Sequence, residues 1–375
     1  MPILVDFVGV ALILIILWDA FEAVVLPRRV KRRWQLTRLF YRLTWIPWSA
    51  LARRMRSSRR REAFLSFFGP LSLLMLLCVW AVGLITGFAI LQWALSSRLN
   101  LPGGAFGFET YLYLSGTTFF TLGFGDVTPV ELAGRTLAVI EAGMGFGFLA
   151  LVIGYLPVIY QGFSRRETSI SLLDARAGSP PSGTELLRRH GKNIDDLDRL
   201  LQDWEHWSAD LMETHLSYPV LCYYRSQHDN QSWLSALATI LDASAMVIVG
   251  VDGLPARQAS LTFAIARHAV VDLAQILNTP PRVPVPERLA PGELGRLHAI
   301  LTEAGINLRS GQVADEKLAG LRRMYEPYVN ALANHLLMPV PAWIPPAEPF
   351  DSWQTSAWER ISKAGAASPV DDEHF

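Results

Sequence analysis

Three long stretches of this chain hold almost no charge, and that leaves few ways for it to fold. Residues 63–95 contain no charged side chain, and residues 136–160 contain one, Glu141. Residues 3–26 contain only Asp6 near one end and Asp19 and Glu22 near the other. Each stretch meets or exceeds the ~20 apolar residues that span a bilayer as a helix. Hydrocarbon offers no partner to backbone amides and carbonyls, so such segments satisfy themselves as helices. The expected class is an all-α membrane protein with an N-terminal transmembrane helix in residues 1–27, an outer helix over 63–95 and an inner helix over 136–160. The first stretch reads as a retained helix and not as a leader. Its basic residues follow the apolar run, and no small-residue cleavage pattern precedes Pro27.

Between the first and second stretches the composition changes sharply. Arg28, Arg29, Lys31, Arg32, Arg33, Arg38, Arg42, Arg53, Arg54, Arg56, Arg59, Arg60 and Arg61 face little but Glu62. Residues 28–62 are therefore expected to form a basic cytoplasmic loop that sets orientation and meets anionic lipid headgroups. The same rule accounts for the patch without nucleic acid. A voltage sensor is not expected, because it needs regularly spaced arginines inside a span.

Residues 108–120, between the second and third stretches, are too short to span but suit a re-entrant helix. Overlapping its end and running on beyond it is Thr117-Thr118-Phe119-Phe120-Thr121-Leu122-Gly123-Phe124-Gly125-Asp126. Alternating glycines reach positive φ at little steric cost, so Gly123 and Gly125 fit a strand whose carbonyls all turn to one side. Thr121 adds a hydroxyl at the inner mouth, and Asp126 adds a carboxylate at the outer mouth.

The run resembles the filter of the potassium-channel pore family, a Thr-Val-Gly-Tyr-Gly loop present in four copies. The resemblance covers residues 63–160, with Leu122 and Phe124 standing where the family most often has Val and Tyr. It implies a pore domain over 63–163 with the pore helix at 108–120 and the filter at 121–126. It further implies K+ held by the backbone carbonyls of Thr121, Leu122, Gly123 and Phe124, a homotetramer, passive conduction, no enzymatic activity and no cofactor beside the transported ion. Thr117, Thr118 and Glu141 become candidates for support behind the filter. Gly145 and Pro157 become candidate gating hinges, although glycines in such a helix also serve close packing. Phe124 lacks the phenolic donor that braces the filter, so a weakly selective cation channel is an alternative. A membrane-anchored sensor whose helical domain is the working part is another.

A filter of this kind needs Asp126 outside, which agrees with a cytoplasmic basic loop. The N-terminus is then expected outside and the C-terminal domain in the cytoplasm, in a multi-pass cell-membrane protein of prokaryotic inner-membrane type. Residues 164–183 read as a linker that ends in Gly178-Ser179-Pro180-Pro181-Ser182-Gly183. Residues 184–375 read as a cytoplasmic α-helical domain of five to seven helices, interrupted by a proline-rich break near 279–286. No Gly-x-Gly-x-x-Gly follows a strand there, so no nucleotide fold is expected. Asp203, His206, Asp210, Glu213 and His215 could share a helix face, His268 stands one turn before Asp272, and Trp204 with Trp207 reads as packing. His228-Asp229-Asn230 reads as a turn or N-cap ahead of the helix that begins near Trp233. Cys78 and Cys222 are the two cysteines, and they indicate no disulfide framework.

Overall fold

The computed structural model describes residues 2–26, 35–95, 98–100, 107–190, 194–228, 230–251 and 256–344. Arg28, Arg29, Lys31, Arg32 and Arg33 of the basic segment lie outside the described residues. Two compact units arise: Met1–Ala50 with Phe67–Gln161, and Leu51–Ser66 with Gly162–Phe375. Secondary structure is overwhelmingly helical, and the class is all-α of membrane type.

In the first unit, α1 (Pro2–Ala20) ends in a π-helical turn, Phe21–Val25. The next described helix, α2 (Leu36–Arg54), occupies much of the segment expected to be a loop. Trp45, Ser49 and Ala52, spaced four and three apart, are buried along one face of α2, whereas Leu39, Leu43 and Ile46, spaced likewise, are exposed along another. That three- and four-residue alternation is what makes an arginine-rich stretch helical, since arginine itself favours helix.

The outer stretch is also divided. α3 (Ser58–Ser66) stops short of Phe67, and α4 (Phe68–Ala94) begins after it. Pro70 has no amide to give the carbonyl of Ser66, so the ladder breaks there. In the first turn of α4 the missing donor costs nothing.

α1 and α4 are joined by small residues. A Cβ on Gly87 would lie 2.6 Å from Ile13 Cγ1 and 3.3 Å from the Gly9 carbonyl, and one on Gly83 would lie 2.1 Å from Ile16 Cδ1. In hydrocarbon, close backbone approach of this kind supplies the dispersion contact that holds helices together. Ile13, Ile16, Leu76, Trp80, Leu84 and Phe88 form the core beside it.

Asp19 is 4% exposed and buried among partners. Its carboxylate accepts hydrogen bonds from the Thr37 amide (3.1 and 3.2 Å), the Thr37 hydroxyl (2.6 Å) and the Trp80 indole (3.0 Å). Thr37 is the second residue of α2, so an acid from α1 caps a separate helix.

α5 (Phe108–Phe119) and α6 (Leu132–Ala177) complete the membrane part. The strands β1 (Leu99–Asn100) and β2 (Thr128–Pro129) pair antiparallel, with Leu99 opposite Pro129. α6 contains Pro157 and runs on through most of the segment expected to be a linker. The unit boundary falls inside it, after Gln161.

The second unit adds α7 (Gly183–His190), α8 (Ile194–Ser217), a 3-10 turn (Pro219–Tyr223), α9 (Trp233–Gly250), α10 (Ala256–Ile276), α11 (Pro291–Glu303), α12 (Gln312–Arg323) and α13 (Glu326–Leu336). Among the described residues four segments are long and apolar enough to cross a membrane, and α9 is one of them. Nearly every side chain of α9 is buried against α7, α10, α12 and α13. It also carries Asp242, which meets Arg288 at 2.6 Å and accepts a hydrogen bond from the Tyr325 hydroxyl at 2.5 Å. Protein surrounds α9, so its apolarity belongs to a bundle core. Ser232 caps it by accepting the Ser235 amide at 3.0 Å, a role the sequence suggested for residues 228–230, of which Asp229 lies outside the described residues.

Candidate functional site: the pore loop

α5 ends where its carbonyls are taken over by the chain leaving it. The amides of Phe120 and Thr121 donate to the carbonyls of Gly116 (3.1 Å) and Thr118 (3.0 Å). The carbonyl of Thr117 accepts from both Leu122 (2.8 Å) and Gly123 (3.4 Å). The Thr117 hydroxyl is spent inside the helix on the Leu114 carbonyl, 3.0 Å away. These bonds turn the backbone back across the helix end and aim residues 121–126.

Backbone handedness alternates along that segment. φ is +57° at Thr121, +54° at Gly123 and +77° at Gly125, and Leu122 and Phe124 between them do not take positive values. A β-branched residue at positive φ is an outlier, disfavoured by roughly 1–2 kcal/mol. Thr121 is therefore held there by its surroundings, including the helix-end hydrogen bonds just described. A Cβ on Gly123 or Gly125 would meet no atom within 4 Å in the single chain, so at these positions backbone conformation, not space, selects glycine. Leu122 is 56% exposed and Phe124 67%, so within one chain neither is packed.

Asp126 is held from α5. Tyr113 donates its phenolic hydrogen to Asp126 Oδ2 at 2.8 Å, and the Val127 amide donates to Oδ1 at 3.1 Å. Tyr113 was not singled out from the sequence. Its signal was an aromatic with a polar tip on the short helix ahead of the Gly-Phe-Gly run.

Beyond Asp126 the chain is strapped to the end of α4. Val127 is buried with Ala89, Leu99, Tyr111 and Leu114. The Val130 amide donates to the Arg98 carbonyl (2.9 Å), and Gln92 Nε2 donates to the Gly134 carbonyl (2.9 Å).

Behind the loop, α5 and α6 share a seam with matched steps. Glu141 of α6 meets Ser115 of α5, and one turn further Gly145 meets Phe119. A Cβ on Gly145 would fall 1.9 Å from the Phe119 carbonyl oxygen, so the helix backbones touch there. Phe148 continues the seam with its ring 5.7 Å from that of Phe119. Glu141 is fully buried, and the Ser115 hydroxyl also lies 2.8 Å from the Ile85 carbonyl of α4. One hydroxyl thus joins three helices. It has one proton for two oxygens, so both contacts are hydrogen bonds when the Glu141 carboxyl carries the second proton. Of the two hinge candidates, Gly145 is a packing contact and Pro157 lies within uninterrupted α6.

The acid and histidine residues of α8 do not converge. Among the described residues no group of three or more His, Cys, Asp or Glu could hold a metal ion. His215 is fully buried, His206 Nδ1 is 2.8 Å from the Gln202 carbonyl, and Asp210 lies 3.8 Å from Arg165. His268 and Asp272 form a 3.5 Å pair in which the histidine is mostly exposed. Trp204 and Trp207 meet edge to face at 4.6 Å in the bundle core. Both cysteines are free.

Comparison with known proteins bears on the loop and its flanking helices. The chain is 24% identical over 194 residues to the uncharacterized membrane protein YdjJ of Bacillus subtilis (strain 168), covering 50% of this chain and 55% of that one. It is 34% identical over 90 residues to protein LctB of Geobacillus stearothermophilus, covering 21% of this chain and 66% of that one. The matches thus span between about half and two thirds of the relatives' own lengths. No solved structure matches the chain. A protein-family model described as Ion channel matches residues 74–161, which hold most of α4, the pore loop and the first part of α6. Over that span, the chain carries an ion channel domain.

Proposed function

We propose that four copies of this chain form a potassium-selective channel, with K+ passing between the backbone carbonyls of Thr121, Leu122, Gly123 and Phe124. The observation that carries the reading is the alternation of positive φ at Thr121, Gly123 and Gly125 directly after a short helix that lies between two membrane helices. Alternate handedness turns successive carbonyls to one side, which is what replaces a cation's water shell. One chain supplies one such strand, so a closed ring of copies is required. Large exposed side chains support the ring: Val139 is 73% exposed, Phe146 68% and Ile153 64% along α6.

In this reading Asp126 faces outward and concentrates cations, and the helical domain is cytoplasmic. The exposed Leu39, Leu43 and Ile46 of α2, beside exposed Arg38 and Arg42, support contact with anionic headgroups of the inner leaflet. The chemistry is conduction, not catalysis.

The test is ion flux through the purified protein in liposomes under potassium, rubidium and sodium gradients. Potassium-selective flux that Gly123→Ala abolishes is the expected result. Flux of equal size in the native chain and the variant overturns the filter assignment. The exposed Phe124, which has no hydroxyl to anchor it, favours a weakly selective pore as the second reading. A Phe124→Tyr variant that raises the potassium-to-sodium permeability ratio severalfold would support that second reading.

A further inference from the structure

The second unit contains the short helix that leads into α4 and the continuation of the helix that leaves the pore loop. One five-residue segment, 221–225, holds both.

Arg166 lies on α6 and is 2% exposed. Its guanidinium donates to Glu167 Oε1 (2.9 Å through Nε), to the Leu221 carbonyl (3.0 Å) and to the Tyr224 carbonyl (3.0 Å). It also lies 3.1 Å from His215 Nε2. His215 Nδ1 is 2.8 Å from the Leu211 carbonyl, which can only accept, so Nδ1 carries the proton and Nε2 accepts from Arg166. The Trp207 indole donates to the Arg166 carbonyl at 3.3 Å, and the guanidinium lies 5.1 Å from the centre of the Phe163 ring. A buried cation so fully engaged fixes α6 to the 3-10 turn and to Tyr224 just beyond it.

The next residue, Arg225, has a different set of partners. Its guanidinium pairs with Glu62 of α3 at 3.3 Å, and the side chains are 7% and 13% exposed. It also donates to the carbonyls of Leu336 and Leu337, the latter at 3.2 Å, and so caps the end of α13. Glu62 is the one acid in a run of arginines, and this contact gives it a use.

We propose that 221–225 is a coupling strut: the helix entering the outer pore helix and the helix continuing the inner one are fastened to the same short segment, so the helical domain acts on both together. Glu62–Arg225 is its separable contact, and Arg166 is its fixed one. The consequence for conduction rests on the channel reading, whereas the mechanical link does not. Glu62→Ala removes the carboxylate that faces the buried Arg225 guanidinium, so the change reaches α3 and the end of α13 together.

The experiment is a double-variant cycle, Glu62→Ala, Arg225→Ala and both, in the full-length protein. Rubidium flux in liposomes and hydrogen exchange of the peptide over 58–66 are both measured. Glu62→Ala is expected to change flux at least about fivefold without changing the rubidium-to-sodium ratio. It is also expected to speed exchange at 58–66 by about the same factor. The double variant should fall well short of the product of the two single effects. Independent, multiplicative effects in both measurements, or unchanged exchange in Glu62→Ala, overturn the strut. Arg225→Gln replaces Arg225→Ala if the latter fails to fold, since it removes the charge beside Glu62 while keeping a donor for the carbonyls at the end of α13. If the native protein and Gly123→Ala are equally silent, the channel reading has failed, and hydrogen exchange alone decides the link.

Discussion

Replacing Gly145 with alanine separates two meanings of a glycine in a membrane helix. If Gly145 only lends flexibility, alanine should stabilise α6 by about 1 kcal/mol through helix propensity. The structure gives the opposite sign. The new methyl would sit 1.9 Å from the Phe119 carbonyl oxygen, 2.7 Å from its carbon and 3.0 Å from its Cα. These are backbone atoms that no rotamer change removes, so α6 and α5 must part by roughly 1 Å or more in an interior packed like a crystal. Overpacking of this kind costs about 1–3 kcal/mol, with a rigid neighbour at the upper end. After the propensity gain, a net loss of ~2 kcal/mol remains. The Glu141–Ser115 contact, one turn away on the same seam, should loosen with it. Thermal unfolding in detergent should show a midpoint several degrees lower for Gly145→Ala. Gly147→Ala, where a Cβ meets nothing within 4 Å, should be neutral or slightly stabilising. Equal midpoints for the two variants would refute the packing argument.

Tyr113→Phe removes the donor to Asp126 and should loosen the loop, measured as faster decline of flux at constant gradient in liposomes. Asp19→Ala leaves the Thr37 amide and the Trp80 indole unpaired and should cost about 3 kcal/mol, read as lost thermal stability. Burial, with Arg53 nearby, holds His335 down at about 4, against an ordinary value of 6.5, and burial with Arg166 holds His215 well below that ordinary value too. The unfolded chain then takes up protons below pH 6.5 that the folded chain refuses, so these groups cost stability as pH falls from 6.5 through 4. Unfolding midpoints across that range should drop less steeply in His335→Gln than in the native protein.

The membrane class was readable because apolar runs of this length admit few other forms. The ion-channel resemblance was readable in residues 117–126, which lie inside the segment that matches the family. Several features were not. α2 looked like a polar loop because arginine count is conspicuous, while the spacing of Trp45, Ser49 and Ala52 that gives it a buried helical face is not. The outer stretch looked continuous because Pro70 sits among strongly apolar neighbours that hide a helix start. The inner helix was expected to end at residue 160, with a linker from 164, because Arg165, Arg166 and Glu167 are polar, yet Arg166 and Glu167 are buried by contacts from distant parts of the chain. Tyr113–Asp126 and Gly145–Phe119 are relations between residues 13 and 26 positions apart, and such pairings are set by how helices meet, not by any local pattern.

The acid at the end of α1 also bears on how the protein is made. A carboxylate costs about 2.5–3.5 kcal/mol at the centre of a membrane helix and less toward its end, and the groups that hold Asp19 belong to helices synthesised later, Thr37 in α2 and Trp80 in α4. Until α4 has been threaded, the first helix is an incomplete guest in the bilayer. Its carboxylate therefore ties acceptance of the N-terminal segment to arrival of α4, a checkpoint on biogenesis written into a single side chain.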